Sequence, residues 1–433
     1  MTEKQQKIWY CALCLWALTT MWAMAPMSIG AGIFTATSFW FIAKIPKEKR
    51  DSILHFLWNS PYGKASIFLL AVSAFSITYA IFFPPLGIPV ENPFELKKIH
   101  YFLLPCFTVF AFANFAEKKK VLIEESNFWR FLWIMAAFVS LITVVQFWGH
   151  SFFSEKILEN RFFRPIAGNP HFHGQGLMNF HLSFASAMGF VYSYACARVF
   201  WRKSNDSWAK WTGFLLLSFL VGTAIFYSFS RIAWVAVFVV PLLLGFLRKW
   251  RLGILLFFVA FVSIIFLWQS NLGVGGRITE FINTKSNGLQ GRLIVWRSAI
   301  EMIKDRPLTG VGFGKTGQYS EAYTERYFGS EQWFSSHSHN NMLDAFSSTG
   351  IFGLIAYLWW WFALLWLSWR QYREALWDNK WLPAAGIAAF FSFQINGLTQ
   401  VNFYDAKSQH ALMLWVGIVL VLEWQRRGIL PKN

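Results

Sequence analysis

The chain has 433 residues, of which 55% are hydrophobic, 20% aromatic and only 14% charged. Soluble globular domains are about 25% charged, so this composition excludes a soluble enzyme as well as a disordered or fibrous chain. A formal net charge of +17 would suggest nucleic-acid binding in a soluble protein, but here the charges lie between long apolar runs. We therefore expect membrane lipids around the chain and no nucleic acid.

The apolar runs recur from end to end, which predicts an all-α polytopic membrane protein with about 12 spans. The first run follows Lys4 and Lys7, shows no small-residue cleavage site and continues directly into the second. It is therefore predicted to be a retained span and not a signal peptide. The predicted spans are 8–25, 27–43, 66–83, 99–116, 128–148, 174–197, 211–229, 232–247, 252–269, 342–368, 383–398 and 409–424.

An even number of spans places both termini on one side of the membrane. Short segments on that side carry 24 lysine and arginine residues, against 7 in the short segments opposite. Since short cytoplasmic loops are enriched in these residues, both termini are predicted to be cytoplasmic. The predicted division is nine spans in 1–269, a long outer loop in 270–341, and three spans with a short tail in 342–433.

Positive charge on the outer face is not explained by topology, and Arg164 is one example. The segment 160–174 contains two prolines and two glycines, which predict a non-helical turn. Arg164 either extends towards lipid headgroups or faces a bound anion. His171 and His173 have the spacing of metal ligands, but no carboxylate or cysteine accompanies them in this segment. A metal site is therefore not predicted.

Arg231 lies between two long apolar runs that almost no loop separates. Arginine at membrane depth costs several kcal/mol, so it usually faces a water-filled cavity and an anionic partner. No acidic residue lies within 20 positions of Arg231 in the sequence, Asp206 being the nearest. The pattern favours a bound anion, with a snorkelling arginine at the membrane interface as the alternative.

The long outer loop opens with a linker rich in glycine and asparagine (271–288), and a helical period follows in 291–305. The apolar stripe of that period is Leu293, Trp296, Ile300 and Ile303. It predicts an amphipathic helix that lies along the membrane interface. Arg292 falls in the first turn of this helix, where the dipole disfavours a cation, which indicates a role elsewhere.

A glycine-rich segment, Pro307–Gly314, follows the amphipathic period. Its glycines permit positive φ and would allow backbone N–H groups to approach an anion closely. The segment lacks the Gly-Lys-Ser/Thr ending of a P-loop and follows no predicted strand, so a nucleotide site is excluded.

Two histidines, His337 and His339, close the long loop at the mouth of the next span. An unperturbed histidine titrates near about pH 6.5 and can accept a proton at neutral pH. Asn340, Asn341 and Asp344 are near enough in sequence to orient an imidazole. A packing histidine is the alternative, and zinc would need a third ligand that the sequence does not offer.

Together these residues favour one kind of chemistry. Arginine matches phosphate with a bidentate fork, and a lipid-linked diphosphate would present its phosphates at this depth. Cleaving a sugar from a diphosphate requires stabilisation of charge on the departing group, and a histidine base would activate the attacking hydroxyl. The outer face shows no carboxylate pair of glycosidase type. The residues therefore favour glycan transfer from a lipid diphosphate to a hydroxyl.

Three segments resemble the O-antigen ligase and polymerase superfamily. They are Gly-Arg-Leu-Ile-Val-Trp-Arg-Ser-Ala-Ile-Glu-Met-Ile-Lys-Asp-Arg-Pro-Leu-Thr-Gly-Val-Gly-Phe-Gly (291–314), Ser-His-Asn-Asn-Met-Leu-Asp (338–344) and Gly-Ile-Phe-Gly-Leu (350–354). Ser230-Arg231, at the start of a span, also matches. The resemblance implies a bacterial inner-membrane glycosyltransferase with a GT-C type of helical fold, which inverts the anomeric centre and needs neither metal nor cofactor.

The resemblance further implies transfer of O-antigen polysaccharide from undecaprenyl diphosphate to lipid A–core at the periplasmic face. By position, His339, the histidine followed by asparagine, is the implied base, with His337 as the alternative. Arg231 and Arg292 are implied diphosphate ligands, and Arg164 is a third with a looser match.

Asn340 and the polar turn around Asp405 are implied supporting residues. An O-antigen ligase is the first hypothesis. An O-antigen polymerase or a protein O-oligosaccharyltransferase of the same superfamily is the alternative, and a transporter of lipid-linked glycan is a more distant one.

Overall fold

The chain is an all-α polytopic membrane protein, as the sequence predicts. Within the described residues, regular structure is helical apart from a two-stranded antiparallel ribbon, β1 (Arg164–Pro165) and β2 (Phe172–His173). The computed structural model describes residues 1–92, 98, 100–119, 123, 126–166, 169–269, 287–329 and 337–429.

A helix coincides with each of the twelve predicted spans. The sixth begins at His181 and not near 174, because β2 and a turn precede it. In chain order these helices are α1 (Glu3–Thr19), α2 (Met24–Ile42), α4 (Pro61–Phe82), α5 (Leu103–Lys119), α6 (Phe128–Phe147), α9 (His181–Phe200), α10 (Trp208–Tyr227), α11 (Arg231–Arg248), α12 (Trp250–Gln269), α15 (Asn341–Glu374), α16 (Trp381–Asn396) and α17 (Ala406–Trp424). The other described α-helices are α3 (Lys47–Asn59), α7 (Gly149–Phe152), α8 (Glu155–Leu158), α13 (Asn287–Asp305) and α14 (Thr316–Phe328).

Helices α9, α16 and α17 form the centre of the molecule, since nearly all their residues are buried. The Tyr194 ring of α9 stacks on Trp415 of α17 at 3.5 Å and on Trp129 of α6 at 5.3 Å. Among the described helices, those long and apolar enough to cross a membrane are α17 in this centre and α2, α4, α6, α10, α11 and α15. The membrane path of the remaining predicted spans stays a prediction.

The outer surface of the bundle is apolar where it would face lipid. On α12, Phe257, Phe261 and Phe266 are all more than half exposed. Such a continuous apolar surface would promote aggregation in water, but it suits a helix that faces hydrocarbon. The same helix forms one wall of the cavity described below.

The amphipathic helix predicted for 291–305 is present as α13. Val295, Ala299 and Met302 form its buried face, whereas Leu293 and Ile300 of the predicted stripe are 38% and 43% exposed. The exposed stripe is compatible with the predicted position along the membrane interface. The predicted linker at 271–288 lies outside the described residues except for its last two positions, where α13 begins.

Helix α13 starts earlier than its sequence period, which corrects one inference about Arg292. Because α13 begins at Asn287, Arg292 lies in the second turn and not in the first. The argument from the helix dipole therefore does not apply to it, since that effect is confined to the first turn.

The glycine-rich segment Pro307–Gly314 docks the outer loop onto α15. The Val311 and Gly312 N–H groups donate to the Ser347 and Ser348 carbonyls at 2.9 Å each. The Ile351 N–H donates to the Pro307 carbonyl at 2.8 Å. The backbone that these glycines approach is thus that of α15, and no anion is required to explain their presence.

Two glycines allow this close contact. Gly350 has φ of +70° and interrupts α15, and Gly310 has φ of +66°. A Cβ at Gly350 would meet the Leu308 backbone, and one at Gly310 would meet the Ser348 backbone. The contact holds α13 and α14 against α15 and thereby fixes the position of Arg292 relative to the start of α15.

Candidate active site

A cavity of about 660 Å³ lies beside the start of α11. Its polar part is lined by His173, His181, Ser230, Arg231, Arg292 and Thr399. Its apolar part lies between α11 and α12 and is lined by Phe238, Leu242, Phe257, Phe261 and Ile264, among others. An amphipathic ligand with an anionic head and a hydrocarbon chain would match both parts.

Arg231 is held at this cavity by the turn between α10 and α11. Phe229 in that turn has φ of +57°, a left-handed conformation that is uncommon for a phenylalanine. Packing stabilises it, because its ring lies 5.5 Å from Trp234 and 5.8 Å from Phe147. Arg231 then becomes the first residue of α11, and the first turns of α9 and α11 both line the cavity. Helix N-termini attract anions through their N–H groups and dipole.

Arg292 reaches the same cavity from α13, so the two arginines predicted to bind diphosphate lie together. Burial, and next the neighbouring Arg231, lower the pKa of Arg292 from its usual value. In the described part of the chain, no carboxylate forms a salt bridge with Arg292. Two guanidinium groups that repel one another in a half-buried site create a strong field for an anion.

His339 precedes α15 and has φ of +53°, a left-handed conformation. The Asn340 side chain caps α15 by accepting from the Met342 and Leu343 N–H groups at 3.0 Å each. It also donates to the Leu398 carbonyl at 3.2 Å. Backbone strain of this kind often occurs at functional sites, where the surrounding contacts stabilise it. Asn340 therefore positions the histidine through the backbone.

Gln400 connects the two histidines. The His339 Nδ1 lies 3.1 Å from Gln400 Oε1, and Gln400 Nε2 lies 3.3 Å from His337 Nε2. An amide oxygen can only accept, so Nδ1 of His339 carries the proton and Nε2 carries the lone pair. An amide nitrogen can only donate, so Nε2 of His337 accepts. The two imidazole rings are 4.3 Å apart and roughly perpendicular.

His339 also interacts electrostatically with Arg292. Burial, and then the neighbouring His337, lower the pKa of His339 from 6.5 to about 4. The hydrogen bond with Gln400 acts in the opposite direction, and Arg292 adds a smaller lowering. His339 is therefore neutral at pH 7, the form in which an imidazole can accept a proton.

A buried carboxylate lies behind His337. Asp344 in the first turn of α15 is only 5% exposed, and its Oδ1 accepts from Ser338 Oγ at 3.3 Å. His337 and Lys98 both interact electrostatically with this carboxylate. Asp344 thus belongs to the surroundings of His337, as its position in the sequence suggested.

Arg164 and Asp405 lie near the cavity but do not line it. Arg164 is exposed, pairs with His173 across the ribbon, and lies 5.7 Å from the centre of the Phe180 ring. Asp405 caps α17 by accepting from the Ser408 N–H at 3.1 Å, and it also accepts from Ser183 Oγ at 2.8 Å. A third phosphate contact from Arg164 and a supporting role for Asp405 stay predictions; the Asp405 carboxylate joins the starts of α9 and α17.

The histidine pair predicted not to bind metal is separated in the structure. The His171 ring stacks on Phe147 at 4.3 Å, which is a packing position. His173 instead points to the cavity and stacks on His181 at 4.1 Å. Among the described residues, no group of three or more His, Cys, Asp or Glu could hold a metal ion. Metal independence stays a prediction.

Sequence reasoning gave no role to two residues of this site, Gln400 and His181. Gln400 is 61 positions from His339 and lies in a short polar segment without helical period, which carries no signal of the contact. His181 is the first residue of α9, and the sequence period placed it inside a span. The Gln400 contacts join segments that are distant in the sequence, and the position of His181 depends on where α9 begins.

Taken together, the geometry brings two arginines to one cavity with an adjacent apolar groove, and it places a neutral imidazole, outside the lining of that cavity, where Arg292 acts on it. Arg231 and Arg292 line one cavity, and His339 interacts with Arg292. Such a site can stabilise negative charge on a departing phosphate while a base removes a proton from an attacking hydroxyl.

Comparison with known proteins agrees with the resemblance in the sequence. Residues 214–358 match the O-antigen ligase family model. A segment of 76 residues is 40% identical to the exopolysaccharide production protein ExoQ of Rhizobium meliloti (strain 1021). That segment covers 16% of this chain and 17% of the relative, so the chain matches only about a sixth of the relative's length. The family match includes Arg231, Arg292 and both histidines and ends before Gln400 and Asp405.

Proposed function

We propose that this chain, which carries an O-antigen ligase domain in residues 214–358, is an inverting membrane glycosyltransferase. It transfers O-antigen polysaccharide from undecaprenyl diphosphate to a hydroxyl of lipid A–core. The reaction takes place at the periplasmic face of the bacterial inner membrane, in a GT-C type of helical fold and without metal or cofactor.

One observation carries this proposal. Arg231 and Arg292 come from different parts of the chain, yet they line one cavity, and Arg292 acts electrostatically on His339. A diphosphate carries the negative charge that such a site favours, and arginine binds it through two parallel hydrogen bonds. The apolar groove between α11 and α12 provides a place for the first part of the polyprenyl chain.

His339, and not His337, is the proposed base. The Gln400 amide accepts from Nδ1 of His339, which leaves the lone pair on Nε2. The same amide donates to Nε2 of His337, so the lone pair of that ring is engaged. Both rings are therefore Nδ1–H tautomers, and they differ in that Gln400 engages the Nε2 lone pair of His337 only. The buried Asp344 carboxylate also interacts electrostatically with His337.

In the proposed step, His339 Nε2 takes the proton of the acceptor hydroxyl as the oxygen attacks the anomeric carbon of the glycan. The new C–O bond forms on one face while the C–O bond to the diphosphate breaks on the other, which inverts the configuration. The electron pair of the broken bond goes to the diphosphate oxygen. Arg231 and Arg292 stabilise the resulting charge, and Arg164 is proposed as a further contact.

Reconstitution tests this proposal. We expect purified protein, supplied with a defined undecaprenyl-diphosphate glycan and lipid A–core, to form the ligated product. His339→Gln should lower the rate by about 100-fold or more, because a general base contributes roughly that factor. The matched control is His150→Gln, an exposed outer histidine that should have no effect. Near-normal turnover by His339→Gln, with His337→Gln inactive, would reverse the assignment of the base.

The same assay separates the transporter hypothesis and the metal alternative. A protein that only moves the lipid-linked glycan across the membrane forms no ligated product from purified components. EDTA should leave the rate unchanged if the reaction is independent of metal, and a loss of activity that zinc or magnesium restores would contradict this.

The match to an exopolysaccharide production protein supports a second candidate, a polymerase of the same superfamily. Donor chemistry would be the same, and the acceptor would be a hydroxyl of another lipid-linked glycan. Supplying the two acceptors in competition distinguishes the candidates. Longer lipid-linked chains without modification of lipid A–core would indicate the polymerase.

A further inference from the structure

Two histidines that the proposed mechanism does not use line the same cavity as Arg231 and Arg292. They are His173 in β2 and His181 at the start of α9. Their rings stack with 4.1 Å between the ring centres and 21° between the planes. Together with the two arginines, they place four nitrogen-bearing side chains around one cavity.

The orientation of His173 is fixed by the turn that also presents Arg231. Nδ1 of His173 lies 2.9 Å from the Ser228 carbonyl oxygen, which can only accept a hydrogen bond. Nδ1 therefore carries a proton, and Nε2 is the nitrogen whose protonation can change. The His173 ring also contacts the edge of Phe229, at 6.4 Å between the ring centres.

His181 is positioned by the start of α9. It is the first residue of this 20-residue helix, and Leu182 next to it lines the cavity as well. Stacking on His173 holds its imidazole next to the turn that leads to Arg231. Its neighbour Phe180 lies between two cations, Arg164 and Lys407, each 5.7 Å from the centre of its ring.

The charged groups around this pair are mostly cationic. Arg231 and Arg292 lie in the cavity, and Arg164 and Lys407 lie near Phe180. Asp405 is the nearby acid, and it is engaged with Ser183 of α9 and with Ser408. Such surroundings disfavour a further positive charge on an imidazole until an anion enters the cavity.

We infer that His173 and His181 form a proton-binding extension of the diphosphate site, in which the stacked pair takes up a proton when a diphosphate binds. A diphosphate in the cavity brings negative charge next to the rings and favours the doubly protonated imidazolium. That form donates a charge-assisted hydrogen bond to a phosphate oxygen. This inference rests on the proposed function, because it assumes that the cavity receives a diphosphate.

The histidine pair would affect the step in which the bond between the glycan and the diphosphate breaks. The electron pair of the breaking C–O bond passes to the diphosphate, which then carries one more negative charge than before. An imidazolium already in place stabilises this charge by a hydrogen bond, and no further proton has to move. The histidine pair would therefore affect product affinity and turnover, whereas His339 affects the acceptor proton.

The test measures the binding of inorganic diphosphate to purified protein by calorimetry, in two buffers with different ionisation enthalpies. The difference between the buffers gives the number of protons taken up. We expect up to about one proton at pH 7.5 for the wild type, since an unperturbed imidazole near a pKa of about 6.5 is mostly neutral at that pH. His173→Asn keeps an amide donor for the Ser228 carbonyl, and His181→Gln keeps a polar side chain at the start of α9.

Each variant should lose the proton uptake and weaken diphosphate binding by about 10-fold, the size of one charge-assisted hydrogen bond. His339→Gln should retain most of the proton uptake, and the exposed His150→Gln should match the wild type. The turnover number of the histidine-pair variants should fall more than the acceptor KM rises.

Unchanged proton uptake and affinity in both histidine-pair variants would overturn this inference and leave the stacked pair as packing only. The proposed function fails in a different way. Wild-type protein would then neither bind diphosphate nor transfer glycan, or Arg231→Gln would bind diphosphate as tightly as the wild type.

Discussion

The two ends of the bundle place arginine side chains in opposite electrostatic surroundings. At the end where α15 and α17 finish, Arg370 and Arg427 form salt bridges with Glu423, whose carboxylate is fully buried. At the outer end, Arg231 and Arg292 share one cavity, and Arg231 lowers the pKa of Arg292. The first arrangement neutralises charge within the protein, and the second places like charges together.

The difference indicates what each cluster is for. A buried carboxylate among arginines holds helices in register, because removing one partner leaves an uncompensated charge in a dry environment. Burial and the neighbouring Arg231 lower the pKa of Arg292, so the cavity that the two arginines share fits a ligand that supplies negative charge. Mutations should therefore affect stability at one end and activity at the other.

The largest effect on stability is expected at the end with internal neutralisation. Glu423→Gln leaves Arg370 and Arg427 without their carboxylate, which should lower the free energy of unfolding by about 2–3 kcal/mol, because the two arginines are 29% and 40% exposed and water offsets part of the loss. Thermal unfolding followed by tryptophan fluorescence would measure it. Glu374→Gln is the control, because Glu374 is 55% exposed and such pairs contribute about 1 kcal/mol at most. Equal free energies of unfolding for the two variants would contradict the stabilising role of Glu423.

The largest effect on activity is expected at the outer end. Arg292→Gln should lower the rate of glycan transfer by about 100- to 1000-fold, since one preorganised group that stabilises developing charge contributes that much. Its melting temperature should stay the same or rise, because the repulsion with Arg231 is removed. Arg297→Gln, on the same helix but exposed, should behave as the wild type in both assays. A loss of stability in Arg292→Gln would instead indicate a structural cation.

A smaller effect is expected where the outer loop is docked. Gly310→Ala should destabilise the protein by about 1–3 kcal/mol, because φ is positive there and the new Cβ meets the Ser348 backbone. Transfer should also slow, since Arg292 and His339 are held together through this contact. Gly329 also has positive φ, but a Cβ added there would meet no other atom within 4 Å. Gly329→Ala therefore measures the cost of the backbone strain alone. If the two variants behave alike, the docking contact is unimportant.

The smallest effect is a shift in a pH profile. Since the pKa of His339 is lowered to about 4, kcat/KM of the His173→Asn variant, which lacks the proton uptake by the histidine pair, should stay level from pH 8 to about pH 5 and fall as the pH drops through 4. Protonation below that value removes the lone pair that accepts the hydroxyl proton. In the complex with substrate, the negative charge of the diphosphate raises the pKa of His339. The fall in kcat at low pH should therefore begin at a higher pH than the fall in kcat/KM. If kcat and kcat/KM fall at the same pH, the diphosphate does not bind near His339.

The sequence predicted the parts of the fold that depend on local patterns. Every predicted span coincides with a helix, because long apolar runs leave the backbone few other options in a membrane. The residue types at Arg231, Arg292 and His339 indicated the chemistry, since cations at an outer boundary need a reason beyond topology.

What the sequence did not show depends on packing between distant segments. Gln400 contacts both histidines although it lies about 60 positions away. Helix α14 was not predicted, and the glycines of Pro307–Gly314 were interpreted as allowing backbone N–H groups to approach an anion and not as a contact with α15. His181 appeared to be part of an apolar span. None of these has a signal in a single sequence.

The most direct test of the central claim is an experimental structure of the wild-type protein with undecaprenyl diphosphate bound. We expect density for the two phosphates between the Arg231 and Arg292 guanidinium groups, with the polyprenyl chain between α11 and α12. His339 should face the same cavity. Phosphates bound at another site, or arginines that turn away from the bound lipid, would contradict the proposal.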